Sequence, residues 1–256
     1  MKKLLPTLFF LLFLFGIPVI VYVYSLNSNS TSTGAPPYEV SNNPLSFDIN
    51  DYSTFTHWER PEGTVKVALQ VGHWKTDEAP IEMEKLRENS GASGGGKSEW
   101  EVNMEIAKAT AVILRERGIE VELLPTTIPP DYWADVFVSI HADGNEDISK
   151  SGFKAAAPRR DMTGKAEKLL ELIEVNYQES TLLSKDPNVS RNMTGYYAFR
   201  WWRFGHAIHP MTTAIILETG FLTSSADREI IVSQPELSAK GTANGIIEFL
   251  ESEKLL

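Results

Sequence analysis

Short apolar runs alternate with longer amphipathic segments from residue 65 onward, and this alternation constrains the fold more than any other feature of the sequence. Apolar runs bounded by turn residues are typical of buried strands, and apolar residues at helical spacing are typical of helices. The pattern predicts strands at 65–71, 119–124, 136–141 and 214–217, and helices at 101–117, 161–177 and 237–253. Strands that alternate with helices predict a three-layer α/β fold, with a mostly parallel twisted sheet and helices on both faces.

The N-terminus carries a separate signal. Lys2 and Lys3 precede an uncharged, mainly apolar run at 4–24, and the next Lys or Arg is Arg60. Such a run is long enough to cross a membrane, and the charge asymmetry places the two lysines in the cytoplasm. We therefore predict that residues 1–24 form a single-pass membrane anchor preceding an extracytoplasmic domain. A cleaved signal peptide, and hence a secreted protein, is the alternative.

Ser, Asn, Thr, Gly and Pro dominate the sequence after the anchor, so residues 25–63 are interpreted as a tether and an extended lead-in. The remaining residues, 64–256, are expected to form one catalytic domain that acts as a monomer. The net charge of −10 and the lack of a long basic run argue against a nucleic-acid partner. The chain has no cysteine, so any metal must be held by histidine and carboxylate groups.

Three of the predicted strands end in a residue that can bind a metal or transfer a proton. His73 follows the first strand, His141 closes the strand "VFVSIH", and Glu218 follows "AIIL". Any one of these residues alone is more often structural than functional. Because parallel strands bring their carboxyl ends to one edge of the sheet, the three together predict a functional site at that edge.

Glu99, in "GGGKSEWEVN", is a fourth candidate because it stands at the start of the helix after the first strand. Two histidines and one glutamate form a ligand set found in catalytic zinc sites, and His73, Glu99 and His141 supply it. Glu218 is then available to take a proton from the attacking water and pass it to a leaving amine. Glu101 is the local rival of Glu99, but it lies farther into the helix and is expected to point elsewhere.

Several segments resemble one enzyme family: "VALQVGHWK", "SEWEVNMEIAKATAVILRERGIEVELLP", "ADVFVSIHADG", the Gly-Phe pair at 152–153 and "AIILETGFLTS". In their order and spacing they resemble the zinc-dependent N-acetylmuramoyl-L-alanine amidases of the amidase_3 type. The resemblance implies a phosphorylase/hydrolase-like fold and cleavage of the amide between N-acetylmuramic acid and L-alanine in peptidoglycan or a muropeptide. It also implies Zn²⁺ on His73, Glu99 and His141, with Glu218 in catalysis. The family usually has Asp-Pro where this chain has Gln70-Val71.

The aromatic segment "YYAFRWWRFGHAIHP" is interpreted as a loop beside the cleft. Its candidate substrate-binding residues are Arg200, Trp201, Arg203 and His206, since aromatic rings stack on sugars and arginine pairs with peptide carboxylates. Covering of a hydrophobic edge by the tryptophans is an equal alternative. The glycine-rich segment at 91–97 is interpreted as a mobile flap with its hinge at 94–96.

Two other functions remain open from the sequence. One is a non-catalytic cell-wall binding or regulatory module with the same fold. The other is a different zinc amidohydrolase, such as a carboxypeptidase. A complete ligand set plus Glu218 argues against the binding module, because a binder needs no proton-transfer group. The spacing of the motifs and the lack of an HExxH sequence argue against the other hydrolases.

Overall fold

The computed structural model describes Phe55 and residues 57–256. The predicted anchor and most of the tether lie outside these residues, so both remain predictions. Within the described part of the chain, no helix is both long and apolar enough to cross a membrane.

A five-stranded sheet forms the centre of the domain, with the strand order β4-β1-β5-β7-β6. Four of its strands are parallel, and the short edge strand β6 pairs antiparallel with β7. A separate two-stranded hairpin, β2–β3, lies in the glycine-rich segment. The strands are β1 Lys66–Val71, β2 Ser93–Gly94, β3 Lys97–Ser98, β4 Glu120–Leu124, β5 Val136–Asp143, β6 Lys154–Ala156 and β7 Thr213–Phe221.

Five α-helices accompany the sheet: α1 Glu99–Glu116, α2 Ala166–Thr181, α3 Arg191–Thr194, α4 Ser225–Ile231 and α5 Pro235–Ser252. Single 3₁₀ segments lie at Thr76–Glu78, Ile81–Leu86 and Tyr197–Phe199. The predicted start of α2 was five residues too early. The carboxylate of Asp161 accepts hydrogen bonds from the backbone amides of Thr163 and Ala166, which holds the preceding residues in a turn.

α1 begins at Glu99, two residues before the predicted start. Ser98 and Glu101 form a capping box, in which the Glu101 carboxylate accepts from the Ser98 backbone amide at 2.9 Å. The capping box therefore holds the Glu101 side chain at the solvent-exposed N-terminus of the helix. Glu99, the first residue of the helix, is buried. The expectation that Glu101 points away from the strand ends is therefore confirmed.

The two faces of the sheet are covered differently. Alternate strand residues such as Val67, Leu69 and Val138 pack into one large core with the long helices α1, α2 and α5. The sequence predicted helices on both faces, and on the second face the described residues form only short helices. Within the described chain, connecting segments and the short helices around Met193 and Phe199 cover that face.

Proline explains part of this asymmetry. The β4–β5 connection crosses the second face and contains Pro125, Pro129 and Pro130. Proline lacks a backbone N–H and disfavours helical geometry in the residue before it. The β4–β5 connection is therefore an irregular segment where a crossover helix would be usual. Its Ile128 and Tyr132 side chains pack into the hydrophobic cluster on the second face of the sheet.

Strand alternation places polar side chains on this second face at the carboxyl end of the sheet. Gln70 of β1 is in register with Ser139 of β5. Two residues farther along, His141 of β5 is in register with Glu218 of β7, which pairs in turn with Lys154 of β6. Side chains two residues apart on a strand share a face. The candidate site therefore faces the loops of the second face.

The glycine-rich segment forms a hairpin, and its mobility as a flap stays a prediction. Gly95 and Gly96 make its turn, with φ of 62° and 79°. A turn with two residues at positive φ suits the twist of a two-residue hairpin and favours glycine. Gly94 lies tightly against the backbone of Leu222, where a Cβ atom would come within 2.0 Å of the carbonyl oxygen.

Candidate metal centre

His73, Glu99 and His141 converge beyond the carboxyl ends of β1 and β5. One ligand atom from each lies within 4.8 Å of the other two. The carboxylate of Glu99 lies between the two imidazoles, 3.5 Å from Nε2 of His73 and 3.0 Å from Nδ1 of His141. Ligand atoms of a tetrahedral zinc site lie roughly 3.3 Å apart, because each is about 2 Å from the metal. The three side chains therefore fit a small tetrahedral cation.

His73 is oriented by the backbone of the loop that follows it. Its Nδ1 lies 2.9 Å from the carbonyl oxygen of Asn89. A carbonyl oxygen only accepts, so Nδ1 carries the proton and Nε2 has the free lone pair. The residue has φ of 61°, an uncommon conformation outside glycine. This turn directs the ring back over the end of β1 towards Glu99.

Glu99 is only 4% exposed, and its carboxylate is held from several sides. The backbone amides of Ala92 and Ala142 donate to its two oxygens at 2.8 and 3.1 Å. Desolvation alone raises the pKa of Glu99, but hydrogen bonding to His141 and the charges of both histidines lower it to about 2. Glu99 is therefore ionised at neutral pH, as a metal ligand must be.

His141 is buried and contacts Glu99 through one nitrogen and Tyr196 through the other. Its Nε2 lies 3.2 Å from the Tyr196 hydroxyl. Burial lowers the pKa of His141, but the neighbouring Tyr196 and Glu99 outweigh it and raise the pKa to about 10 in the metal-free protein. A metal cation bound to His141 in place of the proton would balance the negative charge of the Glu99 carboxylate in the same way.

Glu218 stands beside this cluster without belonging to it. Its Oε2 is sealed from solvent and has no hydrogen-bond partner in the described structure. Desolvation raises the pKa of Glu218 to about 8, with Glu99 and Asp143 raising it and His141 and Lys154 opposing them. A carboxyl group with a pKa near neutrality, in a cleft and free of other partners, is suited to proton transfer.

Lys154 is a buried cation on the other side of Glu218. Its Nζ pairs with Asp143 at 2.5 Å and with Asp186 at 3.2 Å. Burial lowers the pKa of Lys154, but hydrogen bonding to Asp143 and then to Asp186 raises it overall. The ammonium group is therefore charged, and it is held close to Glu218 by the pairing of β6 with β7.

An open cleft of about 600 Å³ leads to these residues. His73, His141, Lys154 and Glu218 line its floor, and the residues from Ser190 to Phe204 contribute one wall. A second space of about 310 Å³ reaches the same groups from the side of Gly91 and Glu99. This volume lies within the range usual for small-molecule binding sites.

Only one of the four predicted substrate-binding residues, Arg200, lines this cleft. Trp201 stacks edge-on against Phe55 and Trp202. Arg203 lies over the ring of Phe204, and the His206 ring contacts the carbonyl oxygen of Ile128. None of these three residues lines the cleft itself.

Sequence reasoning missed several residues that contact the site, among them Asn89, Asn103, Lys154 and Tyr196. Asn103 donates to the Gly72 carbonyl at 3.2 Å and to Glu99 at 3.4 Å. One sequence signal was present, since Gln70 interrupts an otherwise apolar strand. A polar residue in a buried strand indicates a hydrogen-bonding role.

A mostly parallel α/β sheet with a His–Glu–His cluster and a further carboxylate at its carboxyl edge is an arrangement suited to a metal-dependent hydrolase. The sequence profile described as N-acetylmuramoyl-L-alanine amidase matches residues 67–248. The chain therefore belongs to the N-acetylmuramoyl-L-alanine amidase family of peptidoglycan hydrolases.

Solved structures show the same fold. The catalytic domain of CwlV, an N-acetylmuramoyl-L-alanine amidase from Bacillus (Paenibacillus) polymyxa var. colistinus, is 20% identical, with a TM-score of 0.51 over 73% of this chain and 99% of that one. The amidase AmiC2 of Nostoc punctiforme is 21% identical, with a TM-score of 0.51 over 75% and 99%. An N-acetylmuramoyl-L-alanine amidase from Clostridium difficile 630 is 17% identical, with a TM-score of 0.53 over 75% and 100%. No curated protein matches the chain.

Proposed function

We propose that this amidase depends on zinc, held by His73, Glu99 and His141, and that Glu218 transfers the proton during hydrolysis. The observation that carries the proposal is the convergence of the three ligand atoms within 4.8 Å beside Glu218, whose Oε2 has no hydrogen-bond partner among the described residues. The ligand set contains nitrogen and oxygen only, and two imidazoles with one carboxylate leave a net charge near +1 on a bound Zn²⁺.

A zinc ion bound there would supply Lewis-acid chemistry, which polarises the scissile carbonyl and lowers the pKa of the attacking water so that it gives up a proton more readily. Glu218 accepts the proton that this water loses as its oxygen bonds to the carbonyl carbon. The same carboxyl group then donates the proton to the departing nitrogen as the C–N bond breaks. The products are the lactyl carboxylate of N-acetylmuramic acid and the free amine of L-alanine.

The environment of Glu218 supports this role. A half-buried carboxyl group with a pKa of about 8 readily holds a proton, and the nearby Lys154 and a bound divalent cation would both favour its ionised form. The charge of Lys154 therefore lowers the pKa of Glu218, while desolvation raises it. A pKa near the working pH is what a group that first accepts and then returns a proton needs.

Arg200 is proposed to bind a carboxylate of the stem peptide, since it is the cleft-lining member of the predicted arginine pair. Tyr197 and Phe204 line the same wall and offer apolar rings to the substrate. The N-terminal run at 4–24 is proposed to anchor the enzyme in the cell membrane as a monomer with its catalytic domain outside. The charge asymmetry of the N-terminus supports that orientation.

A muropeptide digest with the purified full-length chain tests the activity and its metal requirement together. We expect cleavage that yields a free L-alanine amine, loss of cleavage in a chelator, and recovery on addition of zinc. Cleavage that persists after complete removal of metal would contradict the zinc proposal. Release of a C-terminal amino acid in place of the L-alanine amine would identify a carboxypeptidase.

A further inference from the structure

A buried amide lies beneath the candidate metal centre. Gln70 is fully buried, and all four of its hydrogen-bonding positions are used. Its Oε1 accepts from Ser139 Oγ at 2.7 Å and from the Tyr196 hydroxyl at 3.0 Å. Its Nε2 donates to the Thr126 carbonyl at 2.9 Å and to the Tyr197 hydroxyl at 2.5 Å. Since a carbonyl only accepts, Thr126 determines which end of the amide is nitrogen.

This orientation determines the direction of the next hydrogen bond. The Oε1 atom of Gln70 only accepts, so the Tyr196 hydroxyl must donate its proton to it. The oxygen of Tyr196 then presents its lone pairs to Nε2 of His141, 3.2 Å away. A nitrogen facing those lone pairs makes a hydrogen bond only if it carries a proton. The chain of contacts therefore favours a protonated Nε2 on His141.

The neutral imidazole has one N–H and one lone pair. With the proton on Nε2, the lone pair of His141 is on Nδ1, which is the atom 3.0 Å from Glu99. His73 has the opposite assignment, since Asn89 holds the proton on its Nδ1. The two histidines thus face the cluster through different nitrogens, and each is oriented by a partner on its far side.

We propose that Gln70 and Tyr196 are positioning residues that select the metal-binding tautomer of His141 through the hydrogen-bond chain Gln70–Tyr196–His141. The proposal rests on the zinc site proposed above. Gln70 occupies a place where the family usually has aspartate, whose shorter side chain has no N–H to donate to Thr126.

Two neighbouring tyrosines provide a matched test. Tyr196→Phe removes the hydroxyl that contacts His141, while Tyr197→Phe removes a neighbouring hydroxyl that bonds with Gln70, Thr126 and Tyr196 but not with His141. Zinc affinity is measured by competition with a chromogenic chelator. We expect Tyr196→Phe to weaken zinc binding about 10- to 100-fold, the usual effect of losing a partner of a metal-ligating histidine. Tyr197→Phe is expected to leave zinc affinity within about threefold of wild type, because the His141 contact remains.

A spectroscopic readout separates tautomer selection from a general structural effect. In the zinc-loaded protein, ¹⁵N-edited NMR should show an Nε2–H signal of His141 that exchanges slowly with solvent. Tyr196→Phe should lose that protection, and Tyr197→Phe should keep it. A metal-bound Nε2 on His141 in wild-type protein would overturn the proposal.

Gln70 is tested by a double-mutant cycle, since it is proposed to act only through Tyr196. Gln70→Leu should weaken zinc binding in wild-type protein and add less than about twofold in the Tyr196→Phe background. Full additivity overturns the role of Gln70, and unchanged zinc affinity in Tyr196→Phe overturns the whole chain, even if Gln70→Leu fails to fold. Wild-type protein that binds no zinc would instead refute the proposed function itself.

Discussion

His141 and Glu218 stand directly opposite each other in the register of the neighbouring parallel strands β5 and β7. Their side chains share the loop-covered face of the sheet, but they have different surroundings. His141 is paired with Glu99, whereas the Glu218 Oε2 atom has no partner in the described structure. The strand pairing therefore places a candidate ligand and a candidate proton-transfer group side by side at a distance that the backbone controls.

Zinc stoichiometry tests the ligand assignment. We expect one zinc per wild-type chain, and a large loss of zinc in His73→Ala and in His141→Ala, because each removes one of three protein ligands. His206→Ala is the control, since His206 contacts the backbone of Ile128 outside the cleft. Elemental analysis of the purified proteins gives the result. Full zinc in either ligand variant would exclude that residue from the site.

Substitution of the two glutamates separates metal binding from proton transfer. Glu218→Gln keeps size and shape but cannot exchange a proton, so turnover should fall by roughly two to four orders of magnitude while zinc is retained. Glu99→Gln should lower zinc affinity as well as activity, because it removes a ligand charge. Zinc content and amide cleavage are measured on both proteins. The opposite pattern would mean that the two roles are exchanged.

The pH dependence of stability tests the environment of Glu218 without measuring catalysis. Its pKa of about 8 in the folded metal-free protein exceeds the ordinary value of 4.5. Its contribution to stability is therefore fully present below pH 4.5 and is lost as the pH rises through 8. Metal-free Glu218→Gln should be more stable than wild type at pH 9, by roughly 1–3 kcal/mol, and no more stable at pH 4.

Thermal or urea unfolding of both metal-free proteins at pH 4 and pH 9 measures this difference. Glu101→Gln is the control, since Glu101 is exposed at the helix cap and hydrogen bonds with Ser98 lower its pKa. That variant should show no gain at pH 9. An equal effect of Glu218→Gln at both pH values would show that the carboxyl group is not held in a desolvated position.

Two glycines at positive φ test how closely the glycine-rich segment packs on the metal centre. A Cβ at Gly91 would lie 2.3 Å from Glu99 Oε2 and 2.8 Å from the His73 ring, whereas a Cβ at Gly96 would meet nothing within 4 Å. Both alanine variants carry the same kind of backbone strain. Only Gly91→Ala should therefore weaken zinc binding, by about tenfold or more. Equal zinc affinity in the two variants would contradict this packing.

The arginine pair tests the substrate-binding proposal. Arg200 lines the cleft, while Arg203 lies over the ring of Phe204. Removing a charged hydrogen-bonding partner costs roughly 1.5–3 kcal/mol, so Arg200→Ala should lower kcat/KM by about one to two orders of magnitude. Arg203→Ala should change it by less than about threefold. Steady-state kinetics on one defined muropeptide compares them, and equal losses would reject the assignment.

Strand and helix periodicity in the sequence was sufficient to predict the parallel sheet, the long helices α1, α2 and α5, and the edge at which functional residues meet. It also separated Glu99 from Glu101, because residues two positions apart at the start of a helix point to different sides. These features depend on local chemistry and on a repeat of two or 3.6 residues, both of which can be read along the chain.

The tertiary structure alone decided what surrounds those residues. The contacts of Gln70 with Tyr196, and of Lys154 with Asp186, join segments that are distant in sequence. The proline-containing connection that covers one face of the sheet is not helical, so no periodic pattern in the sequence predicts where it packs. The sequence by itself therefore determined the candidate ligands. Packing between distant segments decided which ring nitrogen faces the cluster and why Glu218 lacks a partner, because hydrogen-bond partners are set by proximity in space.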